Sequence, residues 1–71
     1  METKREKFVR LAEKRTENVL NGLRLLGNLA NTRNYDYSDE DVIKIVKALR
    51  SALSDLEHSF SSANKTTSFK L

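Results

Sequence analysis

The chain has 71 residues, no cysteine, no proline and no tryptophan, with a formal charge of +3 from 13 Lys and Arg against 10 Asp and Glu. A domain of this size buries only about 60% of its unfolded surface, and with no cysteine neither disulfides nor thiolate zinc sites are available to staple it, so oligomerisation is the expected source of a core. No apolar run approaches the roughly 20 residues of a membrane span, no signal-peptide pattern follows the charged start, and the charge excess is well short of a nucleoid-type protein; a cytoplasmic setting is expected.

Residues 3–31 read as one long helix, since only Gly22 and Gly27 weaken the pattern. Phe8, Ala12, Val19, Leu23, Leu26 and Ala30 recur at spacings of three, four and seven. The run Ala12, Thr16, Val19, Leu23, Leu26, Ala30 keeps alternating steps of four and three, the pattern of a helix-packing seam. A second seam lies beside it: Leu11, Arg15, Asn18, Gly22, Leu25 and Leu29. At 100° per residue the two seams differ by about 80°, so the apolar surface covers nearly half the helix. One partner helix cannot cover both, which predicts a homo-oligomer joined through the second seam.

Arg15 and Asn18 interrupt that seam. An interface there desolvates them, and buried polar residues of this kind fix register or oligomeric state at a cost in stability. The alternative is that several protomers gather them around a cavity for a small anionic ligand. Gly22 fits a close helix approach, at about 1 kcal/mol in helix propensity.

The outer side of the same helix carries Lys7, Arg10 and Lys14, with Arg24 close by and Asn21 and Asn28 among them. These side chains contact phosphates and base edges, so Lys7, Arg10, Lys14 and Arg24 are candidate nucleic-acid contacts. Glu6, Glu13 and Glu17 occupy the adjoining strip and offer intrahelical pairs such as Glu6–Arg10. A mixed-charge solvated face is the ordinary outcome of that pattern, and no helix-turn-helix spacing accompanies it. Residues 1–15 are nevertheless basic while Asp36, Asp39, Glu40 and Asp41 make the turn end acidic.

Residues 32–37 read as a turn, with Asn34 placed to end the first helix in the left-handed region. A connection this short makes the two helices antiparallel neighbours. Tyr37 belongs to a hydrophobic staple with Val42, whereas Tyr35, beside Arg33 and Asn34, is a candidate partner contact.

The second helix is expected over about 39–60. Ser38 is its N-cap, Asp41 completes an acidic capping box, and three carboxylates in the first turn oppose the helix dipole. Val42, Ile45, Val46, Leu49, Leu53, Leu56 and Phe60 form one clean stripe, opposite Lys44, Lys47, Ser51, Asp55 and His58. Residues 61–71 then read as a polar, flexible tail, although Phe69 and Leu71 at its end are apolar enough to dock on a partner.

No cofactor motif is present and no catalysis is expected. The single histidine, His58, sits on the polar face without the pocket or orienting partner that general acid–base work requires. The acidic group around the turn lacks the calcium-loop pattern and is explained by capping, so no metal is expected.

Several stretches together resemble those of short uncharacterised helical-hairpin proteins of Gram-positive bacteria, their prophages and conjugative elements. They are Lys4-Arg5-Glu6-Lys7-Phe8, Leu11-Ala12-Glu13-Lys14-Arg15-Thr16, Gly27-Asn28-Leu29-Ala30-Asn31, Asn34-Tyr35-Asp36-Tyr37, Glu40-Asp41-Val42 and Phe69-Lys70-Leu71. The resemblance implies a genomic setting and a helical fold, and no mechanism.

The sequence thus predicts an all-α protein, an antiparallel two-helix hairpin that dimerises into a four-helix bundle. The expected work is protein interaction. A weak nucleic-acid binder is the first alternative and an anionic-ligand binder the second.

Overall fold

A computed structural model describes residues 1–64, which form two α-helices and no strand. The partner contacts expected at Phe69 and Leu71 lie outside the described residues, as does the tail from residue 65 onward. Helix α1 spans Lys4–Gly27, a single 3-10 turn spans Asn28–Ala30, and helix α2 spans Asp39–Asn64. The chain divides into two units, Met1–Asp36 and Tyr37–Leu71.

The first unit opens on a reciprocal cap. The Thr3 hydroxyl accepts from the Glu6 backbone N–H at 3.0 Å, and the Glu6 carboxylate accepts from the Thr3 N–H at 2.9 Å. Two helix-end donors are thereby satisfied, one by each side chain. The Thr-x-x-Glu spacing at 3–6 is the sequence signal for this start, and Thr3 stands outside the helix as its cap rather than inside it.

The far end of α1 differs from the expected one. The apolar periodicity runs to Ala30 and the helix is expected to residue 31, yet the α-helix stops at Gly27, where glycine and then asparagine are poor helix formers. The Asn28 N–H is shared among the carbonyls of Arg24, Leu25 and Leu26, which tightens the chain into the 3-10 turn. Asn31, extended at φ −74° and ψ 103°, then takes the part expected of Asn34. Its side-chain oxygen accepts from the Arg33 N–H at 2.9 Å, and its carbonyl accepts from Asn34 and Tyr35 at 3.2 and 3.0 Å. The stop is an Asx-type turn centred three residues earlier than a left-handed Asn34 predicts.

The second unit starts as its sequence predicts. Asp41 accepts from the Ser38 N–H at 2.9 Å, and the Ser38 hydroxyl accepts from the Asp41 N–H at 3.2 Å. Asp39, Glu40 and Asp41 occupy the first turn, against the positive end of the helix dipole. At the other end α2 continues past Phe60 to Asn64. Serine and alanine at 61–63 contain no helix breaker, so a polar composition does not by itself end the helix. The Ser59 hydroxyl donates to the Asp55 carbonyl at 3.1 Å, a back-bond that occupies its polar group inside the helix.

Among the described residues no side chain is buried. Val9, Leu11 and Ala12 are half-buried and the others up to Ala63 are exposed. Each helix therefore has an apolar stripe without a core: Leu49 of α2 is 39% accessible, and Leu25 of α1 is 61% accessible.

Candidate functional site

The six residues of the expected oligomer seam all belong to the first unit. Leu11, Arg15, Asn18, Gly22 and Leu25 fall within the regular helix, and Leu29 follows on the 3-10 turn. Leu11 is half-buried and the other five are exposed. A Cβ at Gly22, as at Gly27, meets no atom within 4 Å, so the space above this glycine is open in the single chain. The side chains of Arg15 and Asn18 have no hydrogen-bond or ionic partner among the described residues. They keep full hydration here, and any surface that covers the seam must supply partners for them.

Beside the seam, a shallow hollow of mixed charge is bordered by Arg5, Arg10 and Lys14 together with Glu6, Glu13 and Glu17. None of these residues is buried. The hollow lacks the enclosure and desolvation through which a pocket binds a small molecule strongly.

The basic face divides in two. Arg10 donates through Nε and Nη2 to both carboxylate oxygens of Glu2, at 2.7 and 3.1 Å. This forked pair replaces the Glu6–Arg10 pair suggested by the four-residue spacing, because Glu6 is engaged at the cap. The Glu2 hydrogen bond raises the Arg10 pKa above its ordinary value, against a smaller lowering by desolvation. A cation whose folded pKa is raised adds stability below its unfolded pKa and loses it only as pH climbs through the folded value, so Arg10 stays charged throughout the neutral range. Arg24 donates to the Asn21 side-chain oxygen at 2.8 Å, within the same strip. Lys7 and Lys14 have no carboxylate partner among the described residues. Of the four candidate phosphate contacts, two are thus already held by neighbours. The Arg5 guanidinium lies 5.9 Å from the centre of the Phe8 ring, a cation–π distance one helical turn apart.

At the turn, Tyr35 is exposed, and its backbone N–H is held by Asn31. The acidic residues there serve the start of α2, and no group of three or more His, Asp or Glu among the described residues is placed to hold a metal ion. His58 is exposed on α2. No helix among the described residues is long and apolar enough to cross a membrane.

The residues that sequence spacing passed over are Thr3, Glu2 and Asn31. Thr3 had a signal in its reciprocal spacing with Glu6. Glu2 had none, since it precedes the helix and the helical neighbour rule does not reach it. No protein-family model, curated protein or solved structure matches the chain.

Proposed function

We propose that the protein is a non-catalytic interaction module that works as a homo-oligomer: a helical hairpin whose two copies pair into a four-helix bundle. The observation that carries this reading is the exposure of both apolar stripes. Leu25, Leu26 and Leu29 on one segment and Val42, Ile45, Val46 and Leu49 on the other are each more than a third accessible. Burying a leucine side chain contributes about 1.5–3 kcal/mol, so two unburied stripes are the largest source of free energy this chain has available. Folding the hairpin covers the α2 stripe and one seam of α1. The second seam remains for another copy, and the exposed turn at Tyr35 and the tail with Phe69 and Leu71 remain for a protein partner.

The resemblance to small proteins of Gram-positive mobile elements supports an accessory role in such a locus. The nucleic-acid reading is weaker, because Arg10 is ion-paired with Glu2 and Arg24 is held by the Asn21 amide oxygen, while among the described residues Lys7, Lys14 and Arg24 keep charges without a counter-ion on a face that also carries Glu6, Glu13 and Glu17. Binding of a small anion at Arg15 requires the oligomer to build the enclosure that the single chain lacks.

The test is a dilution series followed by far-ultraviolet circular dichroism, with labelled single- and double-stranded DNA titrated at low and high salt in parallel. A helical signal that falls on dilution, with no salt-sensitive DNA binding, supports the module. Tight DNA binding that weakens steeply with salt and on Lys7→Ala with Lys14→Ala transfers the assignment to the basic face.

A further inference from the structure

We infer that the second copy docks antiparallel on α1, in a register that seats Asn18 of each chain over Gly22 of the other. This rests on the homo-oligomer reading and adds its orientation and register. The seam Leu11, Arg15, Asn18, Gly22, Leu25, Leu29 advances in steps of four, three, four, three and four, a series that reads the same in reverse. Two copies laid head to tail therefore superpose seam on seam about a midpoint at residue 20. Leu11 then faces Leu29, Arg15 faces Leu25, and Asn18 faces Gly22.

Two copies laid parallel in register face like with like instead, and two of the layers, those of Arg15 and Gly22, then suffer. Arg15 meets Arg15, placing two guanidinium charges in a closing interface without a counter-ion. Asn18 meets Asn18, and Gly22 meets Gly22 across an unfilled gap. The antiparallel register removes both defects. The open space above Gly22 receives a side chain from the other copy, and the Arg15 stem lies along a leucine while its head reaches the edge of the seam.

Charge selects the same orientation. Residues 1–15 hold six basic and three acidic side chains, whereas residues 16–41 hold two basic and five acidic ones. Parallel pairing sets the two basic ends side by side. Antiparallel pairing sets the basic end of each copy against the end of the other from which the acidic segment Asp36 to Asp41 departs, and it opposes the helix dipoles.

The absence of cysteine makes the register directly measurable. Asn18→Cys and Gly22→Cys proteins, distinguishable by mass, are prepared separately, mixed when reduced, and oxidised in a glutathione buffer. The expected result is a gain of the mixed 18–22 disulfide, with loss of the 18–18 and 22–22 products. The layer next to it provides a second pair, Arg15→Cys with Leu25→Cys, which leaves Gly22 intact and is likewise expected to cross-link only as a mixture. Like-with-like cross-links in a dimeric sample overturn the antiparallel register while leaving the homo-oligomer in place. A dimer that cross-links in neither combination removes the seam as the interface. A monomer by sedimentation of the wild-type protein overturns the register and the homo-oligomer together.

Discussion

The two helices are similar in length and differ in how their apolar residues are arranged. In α2 seven large apolar side chains from Val42 to Phe60 share one stripe, and the opposite face is polar. In α1 the apolar residues spread over two seams, and one of those is interrupted by Arg15, Asn18 and Gly22. A single clean stripe suits one packing partner. Two adjoining seams, one of them with polar and small residues at its centre, suit two partners, the second chosen for register rather than for maximal burial. The difference indicates where stability and where specificity reside. Substitutions in α2 are expected to affect the stability of every assembly state, whereas substitutions in the second seam of α1 act through assembly.

The largest expected effect that sharpens this contrast is Leu25→Lys. A lysine at the seam places a charge on the surface proposed for a second copy, so the proposed oligomer is expected to dissociate, and at micromolar concentration much of the helical circular dichroism should disappear with it. A variant as helical and as large as the parent would remove the second seam from the interface. Next, Leu49→Ala in the middle of the α2 stripe is expected to cost about 2–5 kcal/mol in chemical denaturation, the range for truncating a leucine that becomes buried. A cost near zero would mean that the α2 stripe stays unpacked.

The caps come third. Ser38→Ala and Thr3→Ala each remove a hydroxyl that accepts from a backbone N–H at the helix start, and each is expected to lower stability by about 1 kcal/mol. Equal losses at the two sites would show that both helix starts are stabilised to the same degree despite their different packing surfaces. The smallest net effect is expected from Gly22→Ala. Alanine improves helix propensity by about 1 kcal/mol and meets no atom in the single chain, but it fills the space the second copy needs. Helicity should rise in dilute samples while the dissociation constant of the oligomer increases. A rise in both helicity and affinity would show that nothing approaches Gly22.

Much of the local structure was legible because capping and periodicity are short-range physics. The reciprocal pair Ser38–Asp41 was readable as four letters of sequence, and the same four-letter logic was present at Thr3–Glu6, where attention to apolar spacing hid it. The end of α1 was harder to read. Leu29 and Ala30 continue the apolar rhythm, but Gly27 and Asn28 weaken the helix just before them, and a 3-10 turn carries that rhythm a few residues further without α-helical geometry. At the end of α2 the polarity after Phe60 predicts a stop, but no glycine or proline enforces one and the helix continues to Asn64. The basic face was legible as composition and not as pairing. Whether Arg10 meets Glu6 or Glu2 depends on the course of the chain before the helix, and no helical spacing rule encodes that.

The most direct measurement of the central claim, that a second copy completes this chain through the exposed seam of α1, is sedimentation equilibrium of the purified protein at low and high salt. A mass of twice the single chain or more under both conditions is expected, because the proposed interface rests on apolar burial, which salt does not screen. A stable helical monomer under both conditions would contradict it.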